Sequence, residues 1–260
     1  MSEQQFITTE RDGPILVVTF NRPEVMNALH GPAHAECAEV FDRFARDGGL
    51  RAAIVTGAGV RAFCAGNDLK AQSAGAATRM PASGFAGLTS RFDLVKPVIA
   101  AVNGLALGGG FETALACDVI IAGRHARFGL PEPRVGLAAL AGGLLRLPRA
   151  IGMKRAMPLI LTGRQVSAEE GWRLGFVSEL VEPGGELEAA KALAMEIADC
   201  GPAAIRAAKE VAMHGEDLPL ALAIAGQGDL PMVQAMRASP DYVEGPRAFA
   251  EKRLPHWSCD

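Results

Sequence analysis

Cysteine is scarce in this 260-residue sequence, which has five cysteines and no C-x-x-C pair. An odd number of scattered cysteines disfavours a disulfide framework and fits reduced thiols in a cytosolic protein. Runs of one charge are also absent, since 26 basic and 29 acidic residues are mixed along the chain. Without a polybasic segment, we do not expect nucleic acid or an anionic membrane surface as the main partner.

Long hydrophobic runs are missing as well. The longest uncharged stretch, residues 97–111, contains Asn103 and four glycines, so it is too short and too interrupted to span a bilayer. Residues 1–13 are polar and lack the apolar core of a secretory signal, which predicts a cytoplasmic location. The sequence contains neither G-x-S-x-G nor G-x-x-x-x-G-K-[ST], and no G-x-G-x-x-G follows a strand. It therefore lacks the common motifs for a nucleophilic serine and for a phosphate-binding loop.

Short apolar runs alternate with amphipathic segments in the first part of the chain, which is typical of an α/β protein with buried strands. The predicted strands are residues 15–20, 52–56, 98–102, 119–122 and 176–181, and the predicted helices between them include residues 34–47 and 111–117. Ser167 and Glu170 match a capping box that opens another helix. From residue 185 onward the pattern indicates only helices, one of which Pro231 should kink or break. Residues 71–87, rich in Ala, Gly and Ser, predict a mobile surface loop or a loosely held helix.

Three glycine-rich loops stand out between these elements. Residues 62–69 read AFCAGNDL, residues 103–112 read NGLALGGGFE, and residues 128–132 read FGLPE. A helix that starts directly after three glycines points free N–H groups and the positive end of its dipole at a ligand, and an oxyanion suits such a site. Glu112 and Glu132 add two carboxylates that can move protons.

Each of these signals also has an ordinary explanation. Three consecutive glycines often form only a tight strand-to-helix turn, Glu112 suits the first turn of any helix, and Glu132 can be a solvated surface charge. Cys64 lies in a glycine loop but has no identifiable base, so a small buried thiol explains it better than a nucleophile. His30 and His34 have i, i+4 spacing, but Gly31-Pro32 between them argues against a regular helix, so no metal site is expected.

The ordered set of motifs resembles the enoyl-CoA hydratase/isomerase (crotonase) family over nearly the whole chain. The motifs that carry this resemblance are NRP at 21–23, FCAGNDL at 63–69, KPVIAAVNG at 96–104, GGGFE at 108–112, FGLPE at 128–132 and FAEKR at 249–253. Within the family, GFAGLT at 84–89 and LRLP at 145–148 are most similar to carnitinyl-CoA dehydratase-type members.

The resemblance implies an α/β fold, a crotonase-like spiral of ββα turns over residues 1–184. It also implies a C-terminal helical region, residues 185–260, that forms a homotrimer or a dimer of trimers. The implied substrate is an acyl-CoA thioester, with coenzyme A as part of the substrate and no metal or further cofactor.

The resemblance also implies roles for individual residues. Backbone N–H groups of Asn67 and Gly109 would form an oxyanion hole, and Glu112 and Glu132 would be the two catalytic glutamates of a hydratase. Residues implied to bind coenzyme A are Ala65, Asn67, Asp68, Leu69, Lys70, Phe249 and Lys252.

One stretch departs from the family pattern. Ala139 stands where a proline is expected, and Leu140 stands where a small or acidic residue is expected. Water placement and acyl range therefore stay open, and so do two alternatives to a hydratase or dehydratase. One is an enoyl-CoA isomerase that moves a proton without water, and the other is a catalytically weak acyl-CoA-binding scaffold. A further expectation is that Leu140 either narrows the acyl pocket or only packs in the core.

Overall fold

A computed structural model describes residues 6–73 and 80–258. Ten strands form two sheets. The strands are β1 (Ile7–Asp12), β2 (Ile15–Phe20), β3 (Ala52–Gly57), β4 (Ala62–Cys64), β5 (Val98–Val102), β6 (Leu105–Leu107), β7 (Val119–Gly123), β8 (Arg127–Gly129), β9 (Val166–Ser167) and β10 (Glu179–Val181). Within residues 6–73 and 80–258, no helix combines the length and the apolar character needed to cross a membrane.

Successive strand pairs contribute to the two sheets in turn. The six-stranded sheet has the order β1-β2-β3-β5-β7-β10, and the four-stranded sheet has the order β4-β6-β8-β9. Pairing is parallel except at β1–β2 and β8–β9. The pairs β3–β4, β5–β6 and β7–β8 thus each place one strand in each sheet, and the chain rises as a spiral.

Both faces of the six-stranded sheet are buried, which explains why its strands are apolar without alternation. Ile15 and Val17 face one hydrophobic cluster together with Ala190 and Ala194 of a helix that covers the sheet. Leu16 and Val18 face the larger core on the other side.

Eleven α-helices fall within the described residues. They are α1 (Gly31–Arg46), α2 (Leu69–Ser73), α3 (Gly109–Ala116), α4 (Gly143–Ile151), α5 (Met153–Thr162), α6 (Ala168–Leu174), α7 (Glu186–Ala198), α8 (Pro202–Gly215), α9 (Leu220–Gly226), α10 (Pro231–Ala238) and α11 (Asp241–Ala250). Short 3₁₀ turns lie at Pro23–Val25, Phe85–Gly87, Glu132–Val135 and Gln227–Asp229.

The α/β prediction and the main strands and helices are confirmed. Ser167 caps α6, since its side chain accepts from the Glu170 N–H at 3.1 Å. Pro231 separates α9 from α10. Several boundaries were wrong, and one of them is the start of α3, which lies at Gly109 rather than at residue 111. α1 starts at Gly31 rather than at residue 34, because Pro32 in the first turn is compatible with a helix, and the strand predicted at 176–181 forms only from Glu179.

Two further expectations concern larger segments. Of the predicted surface loop at 71–87, residues 74–79 lie outside the described part, whereas Phe85 and Ala86 are buried, so that end of the prediction was wrong. The division at residue 185 stays a prediction. α7 packs on the six-stranded sheet, and the helices that follow it form the rest of the described C-terminal part.

Candidate active site

A pocket of about 340 Å³ lies between the start of α3 and the turn Glu132–Val135. Six residues predicted from the sequence line it. They are Ala65, Asn67, Leu69, Gly109, Glu112 and Glu132. The fold therefore brings three loops that are far apart in the sequence to one place.

Glu112 lies in the first turn of α3 and is only 3% exposed. Its Oε1 atom accepts a hydrogen bond from the Gly143 N–H at 2.8 Å. Burial raises the pKa of this carboxyl from 4.5 to about 7, and the negative charge of Glu132 adds to the rise. The Gly143 N–H and the guanidinium of Arg146 oppose it, because both favour the ionised form.

Glu132 begins the 3₁₀ turn opposite α3. Its Oε2 atom is buried and has no hydrogen-bond partner among the described residues. Burial raises the pKa of this carboxyl above its usual 4.5. The side chain lies against Gly108, where a Cβ atom would come 2.7 Å from Glu132 Oε1. Because that separation is too short for a real contact, glycine at 108 is needed for the carboxyl to occupy this position.

The backbone of two loops meets beside these carboxyls. Gly109 is the first residue of α3, so its N–H has no acceptor within the helix. A Cβ atom on Gly66 would lie 3.2 Å from the Gly109 nitrogen, so the two loops are in direct contact.

Asn67 is held by a parallel β-bridge to Leu29. The Leu29 N–H donates to Gly66 O at 2.9 Å, and the Asp68 N–H donates to Leu29 O at 2.8 Å. Because these two bonds use the residues on either side of Asn67, the N–H of Asn67 itself points away from Leu29.

Four other predicted residues are not brought into this pocket. The Asp68 carboxylate pairs with Arg22 at 3.0 Å and accepts from the Ala71 N–H at 3.1 Å. Lys70 lies in α2 outside the lining. Phe249, 87% exposed, and Lys252 lie at the C-terminal end of α11 and just beyond it. A contact of these last two residues with coenzyme A therefore stays a prediction that involves another subunit.

Leu140 and Ala139 occupy different environments. Leu140 is 83% exposed and lines a neighbouring cavity of about 590 Å³, whereas Ala139 is buried in the core. Leu140 therefore neither packs in the core nor narrows the pocket between the glutamates, and both expectations for it were wrong. Leu137 and Ala138 line that pocket instead.

Cys64 and His34 are both buried, and burial changes the pKa of each side chain. Burial raises the pKa of the Cys64 thiol to about 12, so it is not a thiolate at neutral pH. No group of three or more His, Cys, Asp or Glu side chains suited to a metal occurs among residues 6–73 and 80–258. His34 is fully buried and its ring meets the loop that carries Asn67. A histidine on the apolar face of a predicted helix is the one signal for this contact that can be read from the sequence.

A two-sheet spiral is the architecture of a crotonase-type α/β protein, and here one glutamate at the glycine-rich start of a helix faces a second glutamate in the opposite turn. The family model for enoyl-CoA hydratase/isomerase matches residues 10–259. The chain belongs to this family, as its motifs predicted.

Named relatives agree with this assignment. The chain is 44% identical to a carnitinyl-CoA dehydratase from Salmonella arizonae, and the match covers 99% of both chains. A crystal structure of an enoyl-CoA hydratase from Mycobacterium marinum superposes with a TM-score of 0.93 at 42% identity, covering 99% of this chain and 100% of that one. A carnitinyl-CoA hydratase from Mycobacterium avium gives a TM-score of 0.79 at 40% identity, with the same coverage. The prediction of a hydratase- or dehydratase-type enzyme, a lyase, is confirmed at this level.

Proposed function

We propose that this enzyme adds water reversibly across the 2,3 double bond of an enoyl-CoA thioester. The observation that carries the proposal is the meeting of the buried Glu112 and the half-buried Glu132 in one pocket with the backbone of Asn67 and Gly109. The named relatives, enoyl-CoA hydratases and carnitinyl-CoA dehydratases, support the same reaction class.

The backbone N–H groups of Asn67 and Gly109 form the oxyanion hole in this proposal. Negative charge develops on the thioester oxygen when the nucleophile adds at Cβ, and each preorganised donor contributes roughly 3–4 kcal/mol to stabilising it. The dipole of α3 has its positive end at Gly109 and adds to this effect.

The two glutamates divide the proton transfers. Ionised Glu112 orients a water molecule and takes its proton as the oxygen bonds to Cβ, while protonated Glu132 delivers its proton to Cα. One proton leaves Glu132 and one reaches Glu112, so the pair keeps a single proton and the product gains one water. In dehydration the same steps run in reverse.

The raised pKa values fit a pair that shares one proton. Burial favours the neutral form of both carboxyls, and the charge of Glu132 further raises the pKa of Glu112. The Gly143 N–H stabilises negative charge on Glu112. In this proposal the shared proton is on Glu132 when water adds, with Glu132 Oε2 buried and without a hydrogen-bond partner among the described residues.

Coenzyme A enters as part of the substrate, and the chemistry requires no further cofactor. Its adenine end lies along the backbone of Ala65 to Leu69, with Lys70 beside it. Phe249 and Lys252 reach it from a neighbouring subunit of a homotrimer or a dimer of trimers.

The acyl group in this proposal is short to medium in length and apolar. Leu69, Met80, Phe85, Val135 and Leu137 supply apolar walls, and apart from the two glutamates the charged side chain in the lining is Arg134, a cation. These surroundings disfavour the quaternary ammonium of a crotonobetainyl group as the acyl group of this enzyme.

Crotonyl-CoA in deuterated water tests the reaction. We expect the enoyl absorbance to fall, with water added at Cβ and deuterium appearing at Cα. Deuterium exchange with retention of a carbon–carbon double bond would indicate an isomerase instead. Binding with neither change would indicate an acyl-CoA scaffold and would contradict the proposal.

A further inference from the structure

His34 lies between the two backbone segments that carry the proposed oxyanion donors. It is fully buried in the first turns of α1, on the same face as Cys37 and Val40. Unlike those neighbours it makes polar contacts, and these contacts reach both segments.

The first contact holds the turn Phe85–Gly87. His34 Nδ1 accepts from the Ala86 N–H at 3.2 Å. Ala86 has φ +52°, in the left-handed region that residues other than glycine rarely adopt. The hydrogen bond from the Ala86 N–H to His34 therefore helps to hold Ala86 in this left-handed conformation.

The same turn also restricts the position of Gly109, because Phe85 packs against both His34 and Gly109. The rings of His34 and Phe85 pack edge to face, with centroids 4.4 Å apart. On its other side Phe85 lies so close to Gly109 that a Cβ atom there would be 2.5 Å from the Phe85 ring. Because Phe85 fills the space beside Gly109, its position limits where the start of α3 can lie.

The second contact reaches the other donor. Burial lowers the pKa of His34 to about 4, so the ring is neutral at pH 7, and the Asn67 side chain beside the ring acts in the opposite direction. Since Nδ1 accepts from the Ala86 N–H, the proton of the neutral ring is on Nε2, a buried atom that forms no hydrogen bond among the described residues. The contact with Asn67 is therefore one of proximity, in which the Asn67 amide limits where the ring can lie.

We propose that His34 is a positioning residue that fixes the N–H groups of Asn67 and Gly109 relative to each other. The inference rests on the oxyanion hole of the proposed function. It assigns to the Asn67 side chain a separate task, because the amide lies beside the His34 ring and the backbone binds substrate. A residue that only filled the core would be replaced by leucine without specific loss, whereas a positioning residue would not.

Acetoacetyl-CoA tests the inference apart from turnover. Its β-ketothioester can bind as an enolate, which absorbs in the near ultraviolet, and an oxyanion hole favours that form. We expect wild type to show the enolate band. His34→Leu should lose about 5-fold or more of the enolate fraction, and its kcat for crotonyl-CoA should fall by a similar factor with KM changed less.

Matched variants separate positioning from packing. Val40→Ala, on the same buried face, should lower Tm but leave the enolate band. His34→Asn keeps an acceptor for the Ala86 N–H, and His34→Gln keeps a polar amide beside Asn67. The enolate fraction of both variants should therefore lie between those of wild type and His34→Leu. If His34→Leu does not fold, these two variants carry the test. The double variant Asn67→Ala with His34→Leu should lose less of the enolate band than the two single losses added together. If His34→Leu does not fold, His34→Asn takes its place in this comparison.

An equal loss of the band in Val40→Ala at matched Tm would overturn the inference, as would an unchanged band in His34→Leu or additive effects of the two substitutions. Unchanged bands in both His34→Asn and His34→Gln would do the same. Wild type that binds acetoacetyl-CoA without the band would overturn the oxyanion hole itself, which is a separate failure of the proposed function.

Discussion

The Gly143 N–H donates to Glu112 Oε1 at 2.8 Å, and the Cα of Gly143 lies so close that a Cβ there would be 2.8 Å from Glu112 Cγ. Gly143 thus supplies a donor to one carboxyl of the pair and at the same time leaves room for its side chain. The first residue of α4 and the first turn of α3 are therefore fitted to each other at the site of the proposed proton transfer.

Gly143→Ala should lower activity more than stability. The added methyl displaces the Glu112 side chain, and since misplacement of a catalytic group by about 1 Å can cost roughly 100-fold in rate, we expect a loss of about 10-fold for this smaller shift. The measurement is kcat for crotonyl-CoA hydration together with Tm. Gly226→Ala is the control, because a Cβ at Gly226 has open space. Equal kcat values in the two variants would refute the fitted contact.

Stability should depend on pH through Glu112. Its pKa in the folded protein, about 7, lies above its ordinary value of 4.5, so the folded state holds the proton more tightly. This contribution, at most about 3 kcal/mol, is present below about pH 4.5 and is lost as the pH rises through about 7.

Glu112→Gln cannot ionise and should therefore gain Tm relative to wild type between about pH 5 and about pH 8. Thermal unfolding across this range checks the expectation. The exposed Glu182→Gln should show a constant difference from wild type. A constant difference for Glu112→Gln as well would show that the buried carboxyl does not carry the pH dependence.

The apolar lining predicts the choice of acyl group. We expect kcat/KM for crotonyl-CoA to exceed that for crotonobetainyl-CoA by about 10-fold or more, since a buried cation near Arg134 has no free carboxylate partner apart from the catalytic pair. Leu137→Ala should widen the acyl range, with one methylene being worth roughly 1–3 kcal/mol.

Leu140→Gly is the matched control, because Leu140 does not line this pocket. A preference of wild type for crotonobetainyl-CoA would contradict the substrate proposal. A wider acyl range in Leu140→Gly would contradict the assignment of the wall to Leu137.

The C-terminal helices predict self-association. Several large apolar side chains are exposed there in the single chain, namely Leu220, Leu222, Ile224, Tyr242, Val243 and Leu254. Large exposed apolar side chains on neighbouring helices favour a subunit interface over free solvent. Light scattering at micromolar concentration should show a trimer or a dimer of trimers, and Leu222→Asp should shift it toward smaller species. A stable wild-type monomer would refute the assembly.

The long apolar strands and the three glycine loops could be predicted from the sequence, because their patterns are local. β4, β6, β8 and β9 could not, since two or three residues give no periodicity. The resemblance supplied the pairing of Glu112 with Glu132, which depends on strands that are distant in the sequence. The orientation of Leu140 and the contacts of His34 depend on how loops pack together, so composition and spacing do not determine them.

The central claim is that Glu112 and Glu132 transfer the protons of hydration, and steady-state kinetics of Glu112→Gln and Glu132→Gln test it most directly. Each substitution keeps the shape of the side chain and removes its acid–base function, so kcat for crotonyl-CoA should fall by about 10²-fold or more while binding of the thioester changes little. Glu182→Gln, on the surface, should match wild type. A kcat near the wild-type value in either Glu112→Gln or Glu132→Gln would contradict the account.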